Sequence, residues 1–162
     1  MPFASGTSVV TLNTLALGLV GTPALVGFGT SMAGVSIAGG SFTLPVLSNL
    51  AFNVPRTGTL TSISAFFRSS IGLNLPLSTM TVHAEIYRAT GNSSTFSATG
   101  VTVSLVFPST ISIGTAVANT ASGFTFNVNA GDRLLMVFSA TASGINLVNT
   151  LTGEASAGLS IN

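Results

Sequence analysis

The stretch that decides the fold reads Asn129-Ala130-Gly131-Asp132-Arg133-Leu134-Leu135-Met136-Val137-Phe138. Its first four residues are typical of a tight turn, in which Gly131 can take the positive φ that other residues avoid. Asp132 can anchor that turn by accepting hydrogen bonds from backbone amides. The run Arg133–Thr141 is almost continuously apolar, which is typical of a strand buried on both faces. The stretch therefore predicts a tight turn that feeds an inner strand of a β-sheet.

Strand patterns extend from this stretch in both directions. Period-two alternation with β-branched and aromatic residues recurs between turn residues, and no segment has a sustained helical period with caps. The predicted strands are Ser8–Leu12, Ala24–Phe28, Val35–Ala38, Ser41–Leu44, Asn49–Val54, Thr59–Arg68, Thr79–Ala89, Val101–Phe107, Ile111–Val117, Phe124–Val128, Arg133–Thr141, Leu147–Thr152 and Ala155–Ile161. Within Thr59–Arg68, we expect Leu60 and Phe66 to share one face and Ile63 and Phe67 the other. The pattern predicts an all-β jelly-roll sandwich of about ten strands in a single domain, residues 1–162.

Charge is almost absent from the chain. Its 162 residues include four basic and three acidic side chains, where roughly 40 charged residues would be ordinary. Such a chain can stay in water by hiding surface against copies of itself, by presenting hydroxyls and amides, or by carrying sugar. The composition therefore predicts an obligate assembly unit, secreted or displayed on a surface. No nucleic-acid partner is expected, because there is no lysine and the four arginines are widely spaced.

A membrane helix is the alternative that the composition raises. Residues 1–55 hold no ionisable side chain, and Leu15–Gly40 is apolar enough to span a bilayer. However, the stretch is interrupted by many glycines and by Pro23, and neither end has a basic flank. A membrane partner is therefore not expected, although small residues do occur in membrane helices. No signal peptide is apparent, and the Met1-Pro2 start is typical of an initiator placed on an excised domain.

The candidate chemistry centres on the single histidine, His83. On the predicted strand Thr79–Ala89, His83, Glu85 and Tyr87 point to one face, where two of them could form a general acid–base pair. Ordinary neighbours on a strand have the same spacing, and no Gly-x-Ser-x-Gly motif accompanies them. One histidine, no cysteine and three carboxylates also fall short of a zinc site, unless a threefold axis gathers three copies of His83. We therefore expect neither an enzyme nor a cofactor.

The few charges and the aromatic residues are expected to be structural. At least one arginine–carboxylate pair should be partly buried, and the candidates for structural charges are Glu85, Asp132 and Arg133. The aromatic candidates, divided between the subunit core and a subunit interface, are Phe66, Phe67, Tyr87, Phe107, Phe124, Phe126 and Phe138. The sequon Asn92-Ser93-Ser94 lies in a predicted loop and is interpreted as an ordinary turn or a glycosylation site.

Several of these segments resemble a known family. The pattern from Phe124 to Leu135 is similar to the penultimate-strand signature of complement and tumour-necrosis-factor jelly rolls. Other segments resemble the C-terminal head of collagen-like glycoproteins of the bacterial spore surface (the BclA/BclB type), across essentially the whole chain. These segments are Pro2–Thr7, Val26–Gly29, Phe52–Gly58, Thr61–Phe67 and Gly153–Leu159. The glycine-rich first 40 residues depart most from that pattern.

The resemblance implies a homotrimeric, tumour-necrosis-factor-like head that follows a collagen-like stalk. The head would be extracellular, on the spore surface (exosporium or appendage), and it carries no enzymatic residues to transfer. No Gly-X-Y period occurs within these residues themselves. The alternative is an adhesin-type module that binds host or environmental ligands through distal loops, with Ala89–Thr99 as the first candidate. An enzyme is the third and least favoured class.

Overall fold

Strands make up most of the chain. The structure is a computed structural model that describes residues 1–145 and 147–162. Its strands are β1 (Pro2–Ala4), β2 (Val10–Asn13), β3 (Ala24–Val26), β4 (Ser31–Ala33), β5 (Ser41–Thr43), β6 (Phe52–Asn53), β7 (Gly58–Ser69), β8 (Leu73–Asn74), β9 (Ser78–Ala89), β10 (Thr95–Val106), β11 (Thr110–Ile111), β12 (Ala116–Val128), β13 (Arg133–Gly144) and β14 (Thr150–Ile161). A 3₁₀ turn lies at Ala16–Gly18. The prediction of an all-β fold is confirmed.

Twelve of the fourteen strands described above form two antiparallel sheets packed as a sandwich, and β8 and β11 form a separate short pair. The first sheet has the order β1-β14-β7-β12, with β2 also paired to β14, and the second has the order β4-β3-β13-β9-β10-β5, with β6 also paired to β13. From β7 onward the long strands change sheets repeatedly, which makes the sandwich a jelly roll. The main core lies between the sheets, and its largest buried side chains include Phe67, Phe107 and Phe138.

The turn and strand from Asn129 to Phe138 form as the sequence predicts. Gly131 has a φ of 89°, and the Asp132 carboxylate accepts a 2.9 Å hydrogen bond from the Asn129 amide. All side chains from Leu134 to Phe138 are buried, because β13 lies between β3 and β9 in the middle of the second sheet. Alternate residues of β13 therefore contribute to two different apolar clusters.

A second apolar cluster lies outside the sandwich. Leu135 and Val137 point away from the main core and pack with Tyr87. The segment that contains β5 covers them, burying Phe42 and Leu50 against the outer face of the second sheet. One part of that outer face is therefore covered, and the part around His83 is left half-buried.

Five predicted strands differ from the observed ones. Val35–Ala38 is not a strand, since the chain leaves β4 at Gly34 with a φ of 88° and runs irregularly. Ile111–Val117 contains a turn closed by a hydrogen bond from the Ser112 amide to the Thr115 hydroxyl. Phe124–Val128 is the end of the longer strand β12, whose outward residues are so small and polar that they read as a loop. Likewise, Leu147–Thr152 and Ala155–Ile161 belong largely to one strand, β14.

The predicted orientation of the Leu60 side chain is also wrong. Ile63 and Phe67 point into the core and Phe66 points outward, as the alternation predicts, but Leu60 is fully buried with the inward residues. The pairing of β7 with both neighbours skips Thr61, so this residue is a β-bulge. An extra residue at a bulge reverses the facing of the residues beyond it.

The two ends of the sandwich differ in what they contain. Met1 pairs near Leu159, and Asn162 pairs with Thr59, so both ends of this chain lie at one end of the sandwich, here called the terminal end. The 129–132 turn lies there too, through its contacts with Val54 and Thr57. The opposite, far end holds the segments 14–20, 75–78, 144–145 and 147–149. Within the described residues, no helix has the length and apolar character needed to cross a bilayer.

Candidate functional site

His83 is held between two hydroxyl groups. Its Nδ1 atom lies 3.1 Å from the Ser104 hydroxyl on β10, and its Nε2 atom lies 2.8 Å from the Thr141 hydroxyl on β13. Partial burial lowers the pKa of His83, which favours the neutral ring. Its position therefore ties β9 to both neighbouring strands in the second sheet.

Glu85 and Tyr87 lie further along the same face of β9. The Glu85 carboxylate accepts a 3.0 Å hydrogen bond from the Gly100 amide. Burial raises the pKa of Glu85 and outweighs that hydrogen bond, while burial and the nearby Glu85 charge raise the pKa of Tyr87. The hydrogen bonds of His83 and Glu85 go to different partners, so the geometry shows no acid–base relay between them. In the part of the chain that the structure describes, no three His, Asp or Glu side chains are grouped to hold a metal.

Asp132 is the most buried charge. Its side chain is 5% exposed and lies 3.7 Å from the guanidinium of Arg88, which is 31% exposed. Arg88 also donates to the Asn127 carbonyl and stacks over the Phe126 ring at 4.9 Å. This cluster joins β9 to the end of β12 and to the 129–132 turn.

The other candidate charges are placed differently. Arg133 donates to the Ser93 carbonyl and lies over the Phe96 ring. Glu154 forms a 2.5 Å ion pair with Arg68 on the first sheet, with both side chains about half exposed. Among the described residues, no ion pair involves Glu85.

The seven aromatic candidates divide into three groups. Phe67, Phe107 and Phe138 fill the main core, and Tyr87 belongs to the second cluster. The remaining three, Phe66, Phe124 and Phe126, are partly exposed. Phe124 and Phe126 also pack against the main core, so Phe66 is the aromatic candidate that the structure leaves most available to a neighbouring subunit.

The outer face of the first sheet carries small residues and, apart from one ion pair, no charge among the residues that the structure describes. Three strands align there in rows, so that each β7 residue has a β12 neighbour on one side and a β14 neighbour on the other. From one end to the other the rows are Ser122-Ser62-Ser160, Thr120-Ser64-Gly158, Ala118-Phe66-Ser156 and Ala116-Arg68-Glu154. We call these twelve residues the small-residue face. The sequence analysis missed it, although the alternation of Ser, Gly and Ala in β14 was a visible signal.

The far end exposes large apolar side chains. Leu17, Leu77 and Ile145 are 79%, 83% and 68% exposed. Leu17 and Leu77 also hold φ angles of 68° and 54°, a conformation that costs free energy for a residue other than glycine. The sequence analysis missed this surface as well, because the local sequence does not show which apolar loop residues stay exposed.

The chain is therefore an all-β jelly-roll sandwich with two unusual exposed surfaces, the small-residue face and the apolar far end. The chain is 30% identical, over 173 aligned positions and 99% of its length, to "Collagen-like protein 1" of Acanthamoeba polyphaga mimivirus. It spans 18% of that protein's length. No family model matches the chain.

Two solved virus structures have a distant likeness to this chain. They are those of infectious bursal disease virus, strains Gx and Gt, each 12% identical, with TM-scores of 0.39 and 0.27. The alignments cover 98% and 100% of this chain, and 30% and 40% of the virus chains.

Proposed function

We propose that this chain is the structural, trimer-forming head of a collagen-like surface protein. The observation that carries the proposal is the similarity to a collagen-like protein along 99% of the chain. A collagen triple helix needs three chains in register, and a head that trimerises would supply that register. In this proposal the stalk precedes the chain, and the whole protein is displayed outside the cell, on a spore surface.

The strand order supports the finer assignment to tumour-necrosis-factor and complement jelly rolls. One sheet has the last strand, β14, between the first strand and β7, and the other has β13 between β3 and β9. In the proposed arrangement, both chain ends lie at the end of the head that joins the stalk. Met1 and Asn162 lie together at the terminal end, which is consistent with that arrangement.

The small-residue face is the proposed contact between subunits. Its side chains are short, so the backbone of another copy can approach closely, and Phe66 supplies a large apolar group. Uncharged hydroxyls cost little to bury when they find hydrogen-bond partners, whereas charges cost far more. The one ion pair of this face, Arg68–Glu154, lies in its last row and can remain in water. We expect the trimer to bury more than about 2,000 Å² in total, as obligate interfaces do.

The test joins a short run of Gly-Pro-Pro triplets to the N-terminus of the chain and follows its triple helix by circular dichroism. We expect the chain to raise the melting midpoint and the refolding rate of the triplets. Gly158→Arg should remove both effects, because a Cβ at Gly158 meets nothing within 4 Å inside the subunit, and the charge would disrupt only the contact between subunits.

The matched control is Thr81→Arg, which places the same charge on the outer face of the second sheet. This variant should behave as the unmodified fusion does. If the unmodified chain leaves the triplets' melting unchanged, the proposed function is wrong. If both arginine variants fail equally, the contact face is wrongly assigned.

A binding module is the second candidate, and the exposed, strained leucines of the far end favour it. The sequence pattern pointed instead to Ala89–Thr99, but residues 95–99 belong to β10 and the loop lies at the terminal end. A ligand would therefore meet Leu17, Leu77 and Ile145 first. Saturable binding on a glycan or protein array that is lost in Leu17→Ser with Leu77→Ser would favour this candidate, and an array without any saturable signal would favour the purely structural head.

A further inference from the structure

Glu85 is the carboxylate that the chain leaves without an arginine. The chain has three acidic side chains, and the structure pairs Asp132 with Arg88 and Glu154 with Arg68. The hydrogen bond described for Glu85 comes from the Gly100 amide to one carboxylate oxygen. Its second oxygen has no described partner, and burial disfavours its charge.

This carboxylate lines a cleft on the outer face of the second sheet. The cleft has a volume of about 300 Å³. Glu85, Tyr87 and Ser139 supply its polar side chains, and the rest of the wall is formed by Val20, Gly21, Pro23, Ile37, Gly40 and Val137. Val20, Pro23 and Ile37 give that wall apolar character. A group that enters the cleft therefore meets apolar side chains, the residues Tyr87 and Ser139 and one carboxylate.

We propose that this cleft binds a protonated primary amine carried on an alkyl chain, with the ammonium on Glu85 and the carbons against Pro23, Ile37 and Val137. An ammonium can donate to the free carboxylate oxygen and to the Tyr87 and Ser139 hydroxyls, and an aromatic ring next to it adds attraction. An anion would meet the Glu85 charge, and a neutral alcohol would leave that charge unneutralised in an apolar setting. The chain contains no lysine, so a second copy of it cannot supply a lysine side chain to the cleft.

Arginine from a second copy is the closest competitor. Arg56 and Arg133 have no carboxylate partner among the described residues, although each donates to a backbone carbonyl. An arginine that reached Glu85 across a subunit contact would close the cleft. The site proposed here is independent of trimer formation through the small-residue face, since it lies on the other sheet.

The test follows the amide signal of Gly100 by nuclear magnetic resonance, because this amide donates to Glu85. The probes are n-butylammonium, n-butanol and butyrate, each titrated into the unmodified chain. We expect a saturable shift with n-butylammonium and none with the other two. Equal shifts with butanol, or no saturable shift at all, would overturn the proposal; the second result is also the one expected if another copy's arginine fills the cleft.

Variants and a peptide extend the test. Glu85→Gln should weaken n-butylammonium binding by at least about tenfold, because it removes a charge-assisted contact. Glu154→Gln is the matched control and should bind as the unmodified chain does. A capped Gly-Lys-Gly peptide separates the two sources of the amine: a shift equal to that of butylammonium indicates a lysine side chain of another protein, and no shift indicates a free amine. If Glu85→Gln binds the probe normally, the carboxylate is not the anchor and the proposal is wrong.

Discussion

Asp132→Asn should destabilise the protein much more than so small a change in side-chain shape suggests. The Asp132 side chain is 5% exposed, accepts a hydrogen bond from the Asn129 amide and lies 3.7 Å from Arg88. Asparagine keeps the shape and can still accept from that amide, so the change removes mainly the negative charge. Breaking a fully buried pair costs about 3–5 kcal/mol, and breaking an exposed one at most about 1 kcal/mol.

The expected loss in the free energy of unfolding lies between these two values, because Arg88, the partner of Asp132, is only partly buried. Arg88 is 31% exposed and keeps its contacts with the Asn127 carbonyl and the Phe126 ring. We therefore expect a loss of about 2 kcal/mol in the free energy of unfolding. For a chain of this size that lowers the thermal midpoint by about 4–8 °C.

The assay is thermal unfolding by calorimetry at one fixed protein concentration. Glu154→Gln is the matched control, because it removes the charge of an ion pair whose two side chains are about half exposed. It should lower the free energy of unfolding by no more than about 1 kcal/mol. Equal midpoints for Asp132→Asn and the unmodified protein would refute the assignment of Asp132 as a structural charge.

Three further predictions follow from single positions and from the assembly. Gly153→Ala should destabilise the protein by about 1–3 kcal/mol, because the new Cβ would lie 2.1 Å from the Arg68 carbonyl oxygen. Gly72→Ala is the control and should be nearly neutral, because its Cβ would lie 3.6 Å from the nearest atom. Chemical denaturation of both variants measures the difference. His83 has a lowered pKa in the folded state, so the unfolded chain takes up the proton first as the pH falls below about 6.5, and stability is lost from there down to the folded-state pKa. His83→Gln should show a smaller fall in thermal midpoint between pH 7.5 and pH 5, and an unchanged fall would contradict this reading. The unmodified assembly should melt above about 90 °C, at a midpoint that rises with protein concentration. Trypsin should cut it slowly, and first at Arg56, which is the one arginine outside a strand. Rapid cleavage at Arg88 would argue against a protected assembly.

The sequence predicts this fold best where local chemistry and burial agree. The turn at Gly131 and the apolar strand after it need only neighbouring residues, and both form as expected. The bulge at Thr61 was not predictable, because it depends on how β7 pairs with two distant strands. The continuity of β14 through Gly153 was hidden for a similar reason: a glycine placed there for close packing reads as a turn.

The candidate sites were predicted less well than the fold. The common face of His83, Glu85 and Tyr87 follows from strand periodicity, but the cleft around Glu85 also needs residues 20–23 and 37–40. These segments are rich in glycine, and the strand predicted at Val35–Ala38 does not form, so their path across the second sheet could not be derived. The small-residue face likewise becomes visible only when three strands are placed side by side.

The molar mass of the purified chain in solution tests the central claim most directly. Light scattering during size-exclusion chromatography at micromolar concentration measures it without reference to shape. The account predicts a single species of three times the chain mass of 16.2 kDa, stable on dilution. A soluble, folded species of 16.2 kDa would contradict it, because the charge-poor small-residue face would then be an ordinary solvent-exposed surface.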